Sequence, residues 1–498
     1  MVFDAFIQAL EYFGNLGFLF FLGIGVIVGV IGGIIPGISS LLTMALVLPF
    51  VFAMLPEHAL PLMVAISAVG YTGGSITAIL LNIPGTAPSA ATLIDGYPMT
   101  KKGEGGRALG AALMSSGIGG IATVFLALAM VPLLLPMVMA IISADMVFII
   151  LLGLSFISVL SAGSMIKGLV SGGLGLLIAF IGFQAVTGVS RFTFGSLYLY
   201  DGIGLIPLAL GLFAIPEAIN LAARGGTIAK TETVIKGMRD IWEGVKDVCR
   251  HWGLWLRSTV IGYIIGIIPG IGAMAATFIA YGQAKQTSKH PERFGTGIVE
   301  GVIAPESANN AKEAGSLLTT LALGIPGSAA MAMLLGAFLM LGITPGPDML
   351  TIHLPLSLSL LLVIIVANVL AVIICFPVTP YLAKIAYIPS RILAPLILVI
   401  SLIGAFTFRE LFNDIIVALV FSVLGLTMRR FGFNRPSLFL GYILGGLFER
   451  YLFLALRTSG PLFFLRPLSI GLIIIIIALF TFEPAKRAFQ RRRGFKET

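Results

Sequence analysis

The decapeptide Gly29-Val-Ile-Gly-Gly-Ile-Ile-Pro-Gly-Ile38 returns later in the chain as Gly262-Tyr-Ile-Ile-Gly-Ile-Ile-Pro-Gly-Ile271, with eight of ten positions identical. A second element, Leu81-Asn-Ile-Pro-Gly-Thr86, returns in the same order as Leu323-Gly-Ile-Pro-Gly-Ser328. Two elements that recur in one order indicate an internal duplication. We therefore predict that the chain contains two copies of one unit.

The composition places both copies in a membrane. The chain has 498 residues, of which 58% are hydrophobic and 11% charged, with a mean hydropathy of +1.06. Soluble domains carry about one-quarter charged residues, and runs such as 17–35 and 108–142 leave no charge to surround a water-facing core. About 20 apolar residues span a bilayer as a helix. We predict an all-α polytopic membrane protein.

The two copies occupy residues 1–223 and 258–460 in our interpretation, each with re-entrant or broken helices. Residues 224–257 form the longest polar stretch and mix basic with acidic side chains, which predicts an amphipathic, basic cytoplasmic linker. Residues 461–498 would add a final transmembrane helix and a basic cytoplasmic tail.

The distribution of basic residues predicts how the copies are oriented. Lys and Arg in short loops stay on the cytoplasmic side of a membrane. The first hundred residues contain neither, which favours an outside N-terminus, whereas the basic linker places the end of the first copy inside. The first copy then crosses an odd number of times, so the second copy would run inverted.

Other classes of function find no support in the sequence. The basic residues lie between apolar runs, so the net charge of +9 reflects topology rather than a nucleic-acid partner. The chain contains no H-E-x-x-H, G-x-S-x-G or Walker lysine motif. Cys249 and Cys375 have no metal or redox spacing. We expect a protein that is not an enzyme, holds no cofactor or firmly assignable metal, and draws its energy from an ion gradient or another subunit.

Each recurring element places proline and glycine inside an apolar helix, which must break there. The half-helix after a break presents free N–H groups suited to a carboxylate, and the half-helix before it presents carbonyls suited to a cation. Such breaks at matching positions of inverted repeats mark the binding site of many secondary transporters. The candidate substrate-binding residues are Pro36, Gly37, Ser39, Ser40, Asn82, Pro84, Gly85, Thr86, Gly270, Pro326, Gly327 and Ser328.

A plainer interpretation of the same elements stays open. The spacing of Gly25, Gly29 and Gly33 is typical of helices that pack closely, so the first element could be a kinked packing helix. The second element could be a helix start capped by Thr86 or Ser328, with no ligand.

A run of polar residues from Pro305 to Ser316 is flanked by membrane segments. Ionisable residues in such places are functional candidates by default. Asn309 and Asn310 offer oxygen ligands for a sodium ion, and Glu306 and Glu313 could shuttle protons. The alternative is a cytoplasmic loop that enters a helix, with Glu306 and Lys312 solvated.

Five motifs stand out along the chain, at residues 33–38, 82–86 followed by 95–99, 304–311, 323–328 and 342–347. Together they resemble the large transmembrane subunit of the tripartite tricarboxylate transporter family. The resemblance covers nearly the whole chain and weakens after about Pro377. The chain departs from the family's pattern at Lys312-Glu313, where small residues are expected, and at Thr319-Thr320, in place of a proline.

The resemblance implies a small four-helix membrane subunit and a periplasmic solute-binding protein as partners, the latter delivering a carboxylate. It also implies secondary transport driven by a cation gradient, across the inner membrane of a bacterium. We hypothesise import of a small organic anion of the tri- or dicarboxylate class, coupled to Na⁺ or H⁺. The rival hypothesis is a channel or scaffold subunit without gradient coupling. The resemblance carries over as candidate site residues Pro36, Gly37, Asn82, Pro84, Gly85, Asn309, Asn310, Pro326 and Gly327.

Overall fold

The computed structural model describes residues 2–160, 164–184, 187–224, 238–382 and 388–492. Within these ranges the chain forms helices joined by short loops, together with one two-stranded antiparallel ribbon in which Gly182 pairs with Arg191. The strands are β1 (Gly182–Phe183) and β2 (Ser190–Arg191).

Eleven helices precede the linker in the described part of the chain. A π-helical turn, Leu210–Ala214, joins the last two of them. They are α1 (Val2–Glu11), α2 (Leu16–Ile34), α3 (Ser40–Phe52), α4 (Pro56–Leu81), α5 (Ser89–Lys101), α6 (Gly105–Met139), α7 (Ser143–Leu160), α8 (Met165–Ala179), α9 (Leu197–Tyr200), α10 (Leu205–Ala209) and α11 (Ile215–Arg224).

Eleven more helices follow from Met238 onward in the described ranges. They are α12 (Met238–Arg250), α13 (Trp252–Ile267), α14 (Gly272–Thr287), α15 (Glu300–Leu323), α16 (Ala329–Met340), α17 (Pro347–Leu350), α18 (Leu354–Leu382), α19 (Ser390–Thr407), α20 (Phe412–Arg430), α21 (Arg435–Ser459) and α22 (Pro467–Arg492). Among the described residues, eight helices are long and apolar enough to cross a membrane. The protein is an all-α polytopic membrane protein, as its composition predicts.

Both halves show the same order of elements around the breaks. Each has a helix, a break, a second helix, a long helix, a second break and a short helix, which are α2 to α5 in one half and α13 to α16 in the other. The long helices α4 and α15 both end in a left-handed residue, Asn82 (φ 58°) and Gly324 (φ 67°). Asparagine and glycine tolerate this conformation better than other residues. The two halves therefore share a left-handed helix C-cap as well as a sequence motif.

The equivalent helices α4 and α15 cross each other and run antiparallel. Ser67 of α4 contacts Glu313 of α15. Ser75, two turns later on α4, contacts Glu306, two turns earlier on α15. Equivalent helices of an inverted repeat must run antiparallel, as these two do. The inversion of the two whole halves stays a prediction.

The chain separates into two compact units. One comprises Met1–Pro136 and Ile206–Gly425, and the other comprises Met137–Leu205 and Leu426–Thr498. Each predicted copy contributes residues to both units, so a copy is not a compact body by itself. The boundaries of the copies stay predictions.

The last residues of the predicted linker, 252–257, form the start of α13, and most of its described part is the amphipathic helix α12. Its buried side includes Ile241, Gly244 and Asp247. Asp247 accepts a hydrogen bond from Arg107 Nε of α6 at 2.5 Å. Residues 225–237 of the predicted linker lie outside the described residues.

Glycines allow α2 and α4 to approach closely. A Cβ built at Gly25 would meet the Leu62 carbonyl oxygen at 2.5 Å, and one at Gly33 would overlap the Gly70 carbonyl oxygen. Gly29 faces Ile66 in the same way. This stripe has the packing role that its small-residue spacing predicts.

Replacing Gly33 with alanine is expected to lower the free energy of unfolding in detergent by about 1–3 kcal/mol, because backbone cannot yield to the new methyl group. The matched control is Gly23→Ala on the same helix, where a Cβ meets nothing within 4 Å. Alanine there should be neutral or stabilising. Thermal unfolding of both variants measures the difference, and equal melting temperatures would contradict close packing of α2 on α4.

Candidate functional site

A cluster of buried polar side chains lies where α4 crosses α15. Asn309, Asn310 and Glu313 follow Glu306 by three, four and seven positions, which places all four on one face of α15. Each of these residues is fully buried, at 0% exposure. The structure therefore brings together the four residues that the sequence predicts for cation coupling. The alternative of a solvated loop is wrong, because this segment is helical and Lys312 is also fully buried.

Glu306 is a buried carboxylate whose hydrogen bonds of standard geometry come from two hydroxyl groups. Ser75 Oγ donates to Glu306 Oε1 at 2.6 Å, and the Thr92 hydroxyl donates to the same oxygen. The other oxygen, Oε2, has no hydrogen-bond partner. Among the described residues no basic side chain forms an ion pair with Glu306. A buried carboxylate in this state needs a proton or a bound cation.

The two asparagines leave further polar atoms available beside Glu306. Asn309 interacts with Glu306, yet its Oδ1 and Nδ2 are buried without a hydrogen bond of standard geometry. Asn310 Nδ2 donates to Thr72 Oγ1 at 2.9 Å and to Asn368 Oδ1 at 2.8 Å, while its Oδ1 has no partner. Native proteins leave few buried polar atoms in this condition. One oxygen from each of Glu306, Asn309 and Asn310 is thus available to a hard cation.

An ion in this cluster would be held by a mixed set of oxygens. The described residues contain no group of three or more His, Cys, Asp or Glu side chains that could hold a metal. Amide and carboxylate oxygens suit hard cations such as Na⁺.

Glu313, in contrast, has a full set of partners. The Lys312 ammonium forms an ion pair with it, and Ser67 Oγ donates to Glu313 Oε2 at 2.8 Å. Lys312 Nζ also lies 4.8 Å from the centre of the Tyr71 ring, in cation–π range. Glu306 and Glu313 share a helix face, but only Glu313 is paired with a positive charge among the described residues.

The first break of each half has its glycine at a positive φ. Gly37 (φ 94°) is exposed and faces Glu217, while Pro36 is buried. Gly270 (φ 81°), at the matching position, is half-buried. The positive φ at both positions explains why glycine stands there.

The serines after the first break have two different roles. Ser39 caps α3, because its hydroxyl accepts from the Leu42 N–H at 3.3 Å. Ser40 is buried, faces Gly70 of α4, and has a hydroxyl without a partner. Ser40 is therefore the hydroxyl of this break that a ligand could use.

The second breaks differ in their caps. Ser328 caps α16 as predicted, accepting from the Met331 N–H at 3.3 Å. Thr86 does not cap α5, because its hydroxyl pairs with that of Ser89 at 2.8 Å and the helix begins after Pro88 without a side-chain cap. The expectation for Thr86 is wrong in this respect.

Asn82 and Pro84 are exposed, whereas Pro326 is buried. Asn82 also has a structural reason for its identity, since it ends α4 in the left-handed conformation. Whether these residues bind substrate stays a prediction.

The glycines of the second breaks pack against backbone. A Cβ at Gly85 would overlap the Gly33 carbonyl oxygen, which places the two breaks of the first half side by side. Gly327 lies against Ser316 of α15. The halves also interleave, since Thr277 of α14 donates to the Pro88 carbonyl oxygen at 3.1 Å.

Asp95 is a buried carboxylate that positions the start of α15. It accepts hydrogen bonds from the Tyr281 hydroxyl at 2.8 Å and from the Gly295 and Gly297 N–H groups at 2.9 and 2.8 Å. These bonds hold the loop before α15 against α5. Asp95 therefore supports the polar cluster from a distance.

Six partners in the cluster were not predicted. Four of them lie on α4, where Ser67, Tyr71 and Ser75 recur every fourth residue on one face, and Asn368 is the lone amide inside the 29-residue helix α18. The six are Ser67, Tyr71, Thr72, Ser75, Thr92 and Asn368.

Comparison with known proteins identifies the family. Residues 19–440 match the model of the tripartite tricarboxylate transporter TctA family. An uncharacterized 52.8 kDa protein in the TAR-I ttuC' 3' region of Agrobacterium vitis is 36% identical over 474 residues, which cover 93% of each chain. An uncharacterized protein in the TAR-II ttuC' 3' region of the same organism is 36% identical over 234 residues, covering 45% of this chain and 97% of that protein. No solved structure matches. The chain belongs to the tripartite tricarboxylate transporter TctA family.

Proposed function

We propose that the protein is the large membrane subunit of a binding-protein-dependent secondary transporter. It imports a small organic anion of the tri- or dicarboxylate class in symport with Na⁺ or H⁺. Family membership supports the class of transporter, and the multi-pass helical fold supports passage through a membrane. The observation that carries the coupling is the buried Glu306, which has no basic partner among the described residues. It lies beside Asn309, whose amide atoms form no hydrogen bond of standard geometry.

The partners and the location belong to the same proposal. A tripartite system supplies a small four-helix membrane subunit and a periplasmic solute-binding protein. The bacterial inner membrane is then the site of action, because a periplasmic protein delivers the anion to it.

The substrate would bind at the breaks. Helices α3 and α16 each begin directly after a break and pack against each other, as do α14 and α5. Free N–H groups at a helix start favour a carboxylate, and Ser40 adds a buried hydroxyl without a partner. Carboxylate binding therefore needs no basic side chain at the breaks.

The cation would bind between Glu306 and Asn309 and control the transition between outward- and inward-open states. Removing it leaves a buried charge without compensation, which costs several kcal/mol. A ligand shifts a conformational equilibrium only by its difference in affinity for the two states. Cation binding thus selects the states in which this cluster is closed.

Counterflow in proteoliposomes separates this proposal from a channel or scaffold. The purified subunit with its partners should exchange labelled for unlabelled tricarboxylate with saturation, and net uptake should stop when sodium and proton gradients are collapsed. Flux that does not saturate, or that persists unchanged without gradients, would contradict a coupled carrier.

Glu306→Gln and Asn309→Ala are expected to lower gradient-driven uptake about ten-fold or more, since a ligand worth 1.4 kcal/mol changes binding by that factor. Uptake at fixed protein amount, with sodium and pH varied separately, measures the effect. Glu292→Gln is the control, because that side chain is 68% exposed in the turn before α15. Full gradient-driven uptake by both cluster variants would remove the cluster from the coupling site.

A further inference from the structure

The chain places a cation of its own on one side of the α4–α15 crossing. The Ser67–Glu313 contact lies on one side of the crossing, and the Ser75–Glu306 contact lies on the other. Lys312 directly precedes Glu313 and so belongs to the first side, and its side chain is 1% exposed. A buried ammonium is costly unless it is paired, so its placement needs an explanation.

The two acidic residues of the cluster share one kind of contact with α4 and differ in whether an ammonium is beside them. Glu306 and Glu313 lie two turns apart on one face of α15, and each accepts a hydrogen bond from a serine of α4, at 2.6 and 2.8 Å. Glu313 is paired with Lys312, whereas Glu306 has no basic partner in the described part of the chain, and its Oε2 accepts no hydrogen bond of standard geometry there. One carboxylate of the cluster is thus paired with an ammonium that belongs to the protein chain itself, and the other is not.

The Tyr71 ring holds the ammonium in place from the other helix. Lys312 Nζ lies 4.8 Å from its centre, and α4 closes over the pair through the Ser67 bond to Glu313. The side chains of Lys312 and Glu313 are both fully buried. The ammonium therefore cannot exchange with solvent as a free ion does.

We propose that the Lys312 ammonium is a built-in cation, which occupies the site beside Glu313 that a mobile monovalent cation would otherwise occupy. The site at Glu306 is then the one at which a cation exchanges, and one mobile cation binds there per transport cycle. This inference rests on the coupling role proposed for Glu306 and Asn309.

The test uses Lys312→Met, which keeps the length of the side chain and removes its charge. Its melting temperature in detergent and choline chloride should fall by about 5 °C, because a broken buried pair leaves Glu313 uncompensated. Equimolar sodium chloride should restore it. Lys246→Met is the matched control, since that side chain is 64% exposed, and its melting should not depend on the choice of salt.

Cation dependence of uptake provides the second readout. The Hill coefficient for sodium should rise from about 1 in the wild type to about 2 in Lys312→Met, because a second place has become available. Lys312→Met/Glu313→Gln removes both charges, so it should melt at a higher temperature than Lys312→Met in choline and return the Hill coefficient to the wild-type value. If Lys312→Met does not fold, the double variant and Lys312→Arg still test the proposal.

Three results would overturn the inference. They are a Lys312→Met protein whose melting does not respond to sodium, a double variant stabilised by sodium as strongly as Lys312→Met, and a Lys312→Arg protein with a raised Hill coefficient. If the wild type shows no cation-driven uptake, the proposed coupling fails. The melting temperatures of Lys312→Met and the double variant, compared in sodium and in choline chloride, then still decide whether Lys312 occupies a cation site.

Discussion

Inside a bilayer every polar group must find its partner within the protein, and the rest of this structure follows from that constraint. Breaking a helix at Pro36 or Pro326 frees backbone groups that lipid cannot solvate. The breaks are therefore packed against other backbone, as Gly85 is against Gly33 and Gly327 against Ser316. Only glycine allows such close approach, which explains why the recurring elements are rich in it.

The same constraint sharpens the meaning of the α4–α15 cluster. Buried charge is tolerated when it is paired, and Lys312 with Glu313 satisfies that condition. Glu306 does not, so its protonation or cation occupancy must accompany any change in its surroundings. Cation coupling is the physical consequence we propose for a carboxylate held in this state between two equivalent helices.

The sequence predicts the class of protein, the breaks and the acidic face of α15, because each leaves a local or repeated pattern. It predicts the Ser328 cap for the same reason. It misses Ser75 and Thr92, because the polar face that Ser67, Tyr71 and Ser75 form on α4 does not show which helix crosses it, and the same is true of the Thr92 hydroxyl on α5. It misplaces the Thr86 cap because the start of α5 is set by Pro88, two residues later. The compact units do not follow the duplication, since tertiary contacts decide them.

We propose that Glu306 and Asn309 bind the coupling cation. Infrared difference spectroscopy of the purified protein, with and without the cation, observes these two side chains themselves, because carboxyl and amide side chains absorb separately and sodium and protons give different carboxyl bands. We expect a carboxyl band that disappears in Glu306→Gln and an amide band that disappears in Asn309→Ala. An unchanged difference spectrum in both variants would contradict it.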